Sequence, residues 1–397
     1  MNRNHLAERL RTARQTLGFT QAEVARTLGM HRPTISEIEA GRRAVSSEEL
    51  YQFSRIYAVP VSALLGDPVM DEAEVERVLF RRDGVQTPAA RLAVRRFVER
   101  CRAERELEEL LGLGTATDAR PSYRVRTPTS PADAMQQGLH MAEQERRRLG
   151  LGTEPLRNPL ELLQRQGVHV GPLEGLEGEA LDGIFFETDT LGACVAVNPS
   201  RDTWTGFRIT FTVAHEYAHW LLRDVQAEPY RGQRFRKDPR EVRANAFAAG
   251  FLMPREALVQ YFTAAGLMDE GGHLSDFGAA DLVRAMDHFG VSREALLIRL
   301  ERLGLAGAER TTELRTSRFS VTAVARTLGI ELRETYNLDA RLHGLAIRAW
   351  SQGRITAGRA ADLLGLDVQT FRERMREMGQ EVETPDDDLL LGAAARK

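Results

Sequence analysis

The sequence predicts a mainly α-helical protein of several domains, with one small sheet in the central part of the chain. The length favours more than one domain, because 397 residues exceed the size at which a single hydrophobic core keeps growing. Apolar residues recur at helical spacing towards both ends, whereas short strand-like runs separated by glycines occupy residues 168–197. We expect domain boundaries at 1–68, 69–130, 131–305 and 306–397.

The composition is that of an ordinary globular protein, with 42% hydrophobic and 28% charged residues. No apolar run approaches the roughly 20 residues of a membrane span, and the N-terminus lacks the apolar core of a signal peptide. The two cysteines, Cys101 and Cys194, have no metal-type spacing, which favours a reducing compartment and disfavours a cysteine-based zinc site. We expect a cytoplasmic protein with no membrane partner.

Five short helices are predicted in the N-terminal domain. Two capping boxes, Thr20 with Glu23 and Ser46 with Glu49, open the second and fourth helices. A glycine turn separates the second helix from the third, which is predicted over residues 34–40. Two short helices joined by a tight turn form the helix-turn-helix pattern, whose second helix lies in the DNA major groove.

Residues 19–43, FTQAEVARTLGMHRPTISEIEAGRR, resemble the Cro/repressor (XRE) family of DNA-binding domains. The resemblance implies a double-stranded DNA operator as partner and a homodimer, since such domains pair on two half-sites. The alternative is a protein-interaction domain that kept the fold without DNA affinity. The net charge of −3 requires any basic surface to be local. The candidate contacts to phosphates or base edges are Gln21, His31, Arg32, Pro33, Thr34, Ser36, Glu37, Arg42 and Arg43.

A charged helical connector is expected to follow the N-terminal domain. Residues 89–113 carry apolar side chains at helical spacings, and residues 115–131 are rich in proline, threonine and serine, which is typical of a linker. A plain connector and an arm that forms dimers are both open readings of this segment.

The central domain contains the sequence His-Glu-Tyr-Ala-His at residues 215–219. On a helix His215 and His219 project from one face, one turn apart, so both rings can reach a single ion. Glu216 lies about 100° round the helix from His215. Two imidazoles and a neighbouring carboxylate suit a metal that activates water beside a general base. The alternative is a pair of core histidines, since residues 207–222 are mostly apolar and predicted to be buried.

The segment of roughly residues 130–305 resembles the ImmA/IrrE family of metallopeptidases. The resemblance implies a central α+β domain of zincin type with a small sheet. This chain departs from the common pattern at Arg223 and Arg243. The matching positions are Asn198, residues 208–216 (RITFTVAHE), residues 241–248 (EVRANAFA) and residues 252–254 (LMP).

This resemblance also implies the roles of the site residues. Glu216 is the expected general base, and Zn²⁺ is the expected cofactor, with Mn²⁺ also compatible with histidine and carboxylate ligands. Asp238 and Glu228 are nearby acidic alternatives for the third ligand. The implied metal ligands are His215, His219 and Glu241.

Three helices are predicted in the C-terminal domain, over residues 342–350, 355–364 and 367–378. A glycine turn at residue 365 again suggests a helix-turn-helix, although small three-helix units are also common packing modules. DNA contact and a structural or protein-binding role both remain open for this domain. The tail over residues 384–397 is expected to be disordered.

Taken together, these patterns predict a DNA-binding transcription regulator with a zinc-dependent endopeptidase domain. The family resemblance implies cleavage of a repressor-type protein, or of the chain itself, in a stress or mobile-element response. The alternative is a repressor or antitoxin that does not cleave, and whose peptidase-like domain senses a ligand, a metal or a partner.

Overall fold

The computed structural model describes most of the chain. Three sequence predictions fall wholly or partly outside the described part: the linker over 115–131, the acidic alternative Glu228 and the tail from residue 384. The described residues are 3–66, 87–113, 120–121, 123, 125–176, 181–199, 205–223, 238–332 and 336–380.

Internal contacts group the chain into two compact units. The first consists of residues 1–97 and 119–336, and the second of residues 98–118 and 337–397. The predicted domain boundaries do not coincide with the limits of these units and stay predictions.

The N-terminal part of the first unit forms five helices around one apolar core. Both predicted capping boxes are confirmed at the starts of the second and fourth helices. The third helix begins at Arg32, two residues earlier than predicted, because Pro33 fits the first helical turn and His31 takes the N-cap position. The five helices are α1 (Arg3–Leu17), α2 (Gln21–Thr27), α3 (Arg32–Glu39), α4 (Ser47–Tyr57) and α5 (Val61–Leu65).

The central part holds a three-stranded sheet, as the sequence predicts. The strand order is β1-β3-β2, with β1 parallel and β2 antiparallel to the middle strand. The pairing of β2 with β3 extends to Thr188 and Gly192, which flank the turn between the two strands. The elements are α6 (Pro88–Leu110), α7 (Pro131–Arg148), α8 (Pro159–Arg165), β1 (His169–Pro172), β2 (Gly183–Thr188) and β3 (Gly192–Val197).

Helix α9 (Thr205–Leu222) packs against the sheet, and glycine at position 183 in β2 lets the helix approach the strand closely. A Cβ atom added at Gly183 would lie 2.7 Å from Cγ2 of Thr212 on α9, well inside van der Waals contact. Helix α10 packs on α9 and on α7. The remaining helices of the first unit are α9 (Thr205–Leu222), α10 (Pro239–Leu252), α11 (Arg255–Ala264), α12 (Ala279–Phe289), α13 (Arg293–Arg302), α14 (Ala308–Thr316) and α15 (Val321–Thr327).

The start of α6 belongs structurally to the first unit. Arg91 Nη1 donates a hydrogen bond of 3.2 Å to the carbonyl oxygen of Thr16 in α1. Further along α6, the Phe97 ring meets the Phe186 ring of β2 edge-on, with the centroids 5.8 Å apart. The segment predicted as a connector therefore contacts both the N-terminal helices and the sheet.

The second unit is helical. Apolar residues from the second half of α6, including Ala103 and Leu107, share a core with Leu342 and Ala346. The three predicted C-terminal helices are confirmed, with ends that differ by a few residues. They are α16 (Ala340–Ser351), α17 (Ala357–Leu363) and α18 (Val368–Glu377).

Within the described residues, no helix is both long enough and apolar enough to cross a membrane.

The tight crossing of α7 and α10 yields a stability prediction. A Cβ atom at Gly138 would lie 2.2 Å from the carbonyl oxygen of Arg243. We expect Gly138→Ala to destabilise the fold by about 2 kcal/mol, because backbone atoms must move apart. Thermal unfolding followed by circular dichroism measures the effect.

The control is Gly344→Ala in α16, where an added Cβ meets nothing within 4 Å. It should leave the unfolding transition unchanged or raise it, since alanine favours a helix by about 1 kcal/mol over glycine. Equal effects of the two substitutions would contradict the packing argument.

Candidate metal centre and DNA-binding surface

Three side chains from two helices converge in the interior of the first unit. His215 and His219 lie on α9, and Glu241 lies in the first turn of α10. The two Nε2 atoms are 3.1 Å apart. The Glu241 carboxylate oxygens lie 3.2 Å from His215 Nε2 and 3.3 Å from His219 Nε2. These residues form the one cluster of metal-ligand type found among the described residues.

The chemistry and spacing of these donors fit a divalent cation. Zinc binds imidazole nitrogen and carboxylate oxygen at about 2.0–2.1 Å, so tetrahedral ligand atoms lie about 3.3 Å from one another. The residues are buried, with 0%, 1% and 2% of the surface of His215, His219 and Glu241 exposed. Lone pairs that face one another at such distances away from water require a proton or a cation between them.

The electrostatic environment keeps Glu241 ionised. Burial alone would raise the pKa of this carboxyl group. Electrostatic interactions with the adjacent His215 and His219 outweigh burial and hold the pKa below its ordinary value. An ionised carboxylate is the form that a metal ligand requires.

Asn245 supports the first histidine from behind. Its Oδ1 lies 3.2 Å from Nδ1 of His215, where it can accept a hydrogen bond from an Nδ1–H group. That tautomer leaves the lone pair of Nε2 facing Glu241 and His219, as a metal ligand requires. The sequence alone assigns no role to Asn245, although its position one helical turn after Glu241 is an available signal.

Glu216 is also buried, with 3% of its surface exposed. It projects towards β2, since a Cβ atom at Gly183 would lie 3.5 Å from its Oε1. The role of Glu216 as general base stays a prediction. Of the two acidic alternatives, Asp238 accepts a hydrogen bond of 2.8 Å from the backbone N–H of Arg240 and caps α10.

A second polar cluster anchors α9 to α7. The hydroxyl group of Tyr217 donates to the fully buried carboxylate of Glu145, as does that of Tyr123. Arg148 makes a bidentate contact with the same carboxylate, in which Nε donates to Oε2 at 2.8 Å and Nη2 donates to Oε1 at 2.6 Å. Burial and the adjacent Glu145 raise the pKa of Tyr217 well above its ordinary value, so it stays a donor. Sequence reasoning missed this cluster, because nothing local links positions 72 residues apart.

The predicted DNA-binding residues lie on and around α3. Its apolar side chains Ile35 and Ile38 are buried, and they determine which face of the helix is presented to solvent. Exposed candidates are His31, Arg32, Pro33, Glu37 and Arg42, and half-buried candidates are Gln21, Thr34, Ser36 and Arg43.

Two of the candidates already hold intramolecular hydrogen bonds. Gln21 Nε2 donates to the buried Glu39 carboxylate at 2.9 Å, and Arg14 binds the same group at 2.7 Å. Arg43 Nη2 lies 2.7 Å from Glu49 Oε1. These pairs orient the two side chains, and a phosphate would have to be contacted by their remaining N–H groups.

Comparison with protein families gives two matches along the chain. The family model of a helix-turn-helix domain matches residues 5–65, and that of the IrrE N-terminal-like domain, a peptidase family, matches residues 164–301. No curated protein and no solved structure gives a significant match.

Removal of Glu241 tests the assignment of the third ligand. We expect purified Glu241→Ala protein to lose bound zinc, because two histidines alone leave the site without its anionic donor. Metal content after dialysis, measured by mass spectrometry, gives the stoichiometry. Asp238→Ala is the matched control: it should keep the metal and lose about 1 kcal/mol of stability with its helix cap. The reverse pattern would make Asp238 the ligand.

Asn245 tests the support of His215. We expect Asn245→Ala to weaken zinc affinity by about 10- to 100-fold, the usual effect of removing a hydrogen bond that orients a ligand. Asn245→Asp, which keeps an acceptor oxygen, should bind nearly as tightly as the wild type. Competition with a chromophoric chelator measures both. Unchanged affinity in Asn245→Ala would show that the contact does not orient the ring.

Proposed function

The chain joins an XRE-type helix-turn-helix domain to an IrrE/ImmA-like domain of a metallopeptidase family, and we propose that it is a transcription regulator with proteolytic output. In this proposal the central domain is a zinc-dependent endopeptidase that cleaves a repressor-type protein, or the chain itself, and thereby switches gene expression. Stress or a mobile element would supply the signal. The observation that carries the proposal is the buried convergence of His215, His219 and Glu241.

The ligand set fits zinc best, and manganese is also compatible. A bound zinc ion would supply Lewis-acid activation of a water molecule. His215, His219 and Glu241 would hold it. A two-histidine, one-carboxylate set leaves a coordination position for the reacting molecules, which a closed structural site lacks.

Glu216 would carry the proton. Its carboxylate would accept a proton from the attacking water and return it to the nitrogen of the leaving amine. The buried position of Glu216 favours this role, because a base shielded from bulk water keeps the proton within the site.

The N-terminal domain would direct the chain to an operator in double-stranded DNA. Its α3 presents the exposed Arg32 and Pro33 and the half-buried Ser36 on one side. We further propose that the protein binds as a homodimer on two half-sites of an operator and acts in the cytoplasm.

Substitution of the proposed base tests the proteolytic function. Zinc-loaded protein is incubated alone and with helix-turn-helix repressors from the same genome, and fragments are identified by mass spectrometry. We expect Glu216→Gln to cleave 10²- to 10⁴-fold more slowly, the usual contribution of a general base, while it retains zinc. Glu256→Gln, the same change at an exposed position of α11, should cleave at the wild-type rate.

Equal cleavage by the wild type and Glu216→Gln would remove Glu216 from the mechanism. If the wild type cleaves nothing but its DNA affinity changes with zinc, the domain is a metal sensor and the proteolytic proposal is wrong.

A further inference from the structure

The pair α17–α18 has the same turn as α2–α3. Gly29 and Gly365, which end the first helix of each pair, have left-handed φ angles of 64° and 66°. After them, the N–H of Met30 bonds to the carbonyl oxygen of Ala25 at 2.8 Å, and that of Leu366 bonds to Ala361 at 2.9 Å. Both turns thus redirect the chain through the same glycine conformation and the same hydrogen bond, which also end other helices of this chain, so the correspondence depends on the residues around the turn.

The helices on either side of the turn also correspond. Each residue of α2 and α3 has its equivalent 336 positions later in the chain, as Gly29 has in Gly365. Threonine caps both first helices: Thr20 accepts from the N–H of Glu23, and Thr356 accepts from that of Arg359. In the second helix of each pair, equivalent positions are buried. They are Ile35 and Glu39 in α3, and Phe371 and Met375 in α18.

This correspondence fixes which face of α18 meets solvent. Positions equivalent to the exposed Arg32, Pro33 and Glu37 of α3 are occupied by Val368, Gln369 and Glu373, and all three are exposed. The position equivalent to Ser36 is Arg372, which is half-buried. One turn later on the same face lies the exposed Arg376.

We propose that α17–α18 is a second helix-turn-helix that binds double-stranded DNA, with α18 in the major groove. The side chains on its solvent face match base-edge chemistry. Arginine pairs with guanine O6 and N7, glutamine pairs with adenine N6 and N7, and an apolar side chain contacts the thymine methyl group. Arg372, Gln369 and Val368 supply these three types at neighbouring positions.

The charge of α18 is compatible with DNA binding. Helix α18 carries three arginines and two glutamates, whereas α3 carries one arginine and two glutamates. The net charge of α18 is therefore +1 and that of α3 is −1. A helix that enters the groove between two phosphate strands is favoured by the more positive charge.

The site on α18 is separate from the one proposed on α3, and the two can fail independently. The test uses the full chain loaded with zinc and a library of random double-stranded DNA. Bound DNA is recovered and sequenced after several rounds of selection. We expect wild-type protein to select two distinct sequence motifs. Arg32→Glu should remove one motif, and Gln369→Ala should relax one base position in the other.

Affinity for the selected DNA at fixed salt gives a matched comparison on one helix. Arg376→Glu, on the solvent face of α18, should weaken binding by about tenfold or more. Arg374→Glu makes the same charge change at an exposed position equivalent to the buried Ile38, and should change affinity by less than about threefold. Both residues are exposed, so unchanged thermal unfolding is expected and excludes misfolding.

Two results overturn the proposal: a single motif that Arg32→Glu abolishes, or equal effects of Arg376→Glu and Arg374→Glu. In the first case α3 remains the DNA reader and α17–α18 is a packing or protein-binding module. If only the α18 substitutions abolish binding, the inference holds and the role of α3 fails. Selection of no motif by the wild type contradicts both.

Discussion

The confinement of two imidazoles and a carboxylate in a buried interior is the constraint on which the central domain depends. An ionised group in such a place costs several kcal/mol unless an opposite charge and hydrogen bonds compensate for it. The donors of His215, His219 and Glu241 lie 3.1–3.3 Å apart, a spacing that one cation can satisfy. The helices α9 and α10 must therefore cross closely, and the neighbouring elements must leave room for that crossing.

Glycine provides that room at three contacts. Gly183 lets β2 approach Thr212 of α9, and Gly138 and Gly250 let α7 approach α10. A methyl group at any of the three would lie within 3.2 Å of a neighbouring atom. The small residues thus act on the site indirectly, since they set how closely β2 packs against α9 and how closely α7 packs against α10, and α9 and α10 are the two helices that carry its ligands.

A polar layer behind the ligands fixes their orientation. Asn245 can accept a hydrogen bond from Nδ1 of His215, and Glu145 accepts one from the hydroxyl group of Tyr217 on the opposite side of α9. Arg148 neutralises the buried Glu145. Side chains held by such contacts lose rotamer freedom before a ligand binds, which favours a preorganised site.

The sequence predicted those features that local spacing encodes. Helical periodicity alone placed His215 and His219 on one face, and capping boxes located the starts of α2 and α4. Glu241 came from family resemblance, because no spacing rule relates α9 to α10. Tertiary pairs such as Glu145 with Tyr217 have no local signal. The division of α6 between two units after residue 97 could not be predicted from the sequence either, since the helix is continuous in sequence pattern and in structure.

X-ray absorption at the zinc edge of the zinc-loaded protein tests the central claim most directly. We expect a coordination shell of nitrogen and oxygen atoms at about 2.0–2.1 Å, with the multiple-scattering signature of two imidazoles. Glu241→Ala is expected to lose zinc and should therefore not give this shell. A shell of oxygen atoms alone, or one that contains a single imidazole, would contradict the assignment of His215, His219 and Glu241 as the metal ligands.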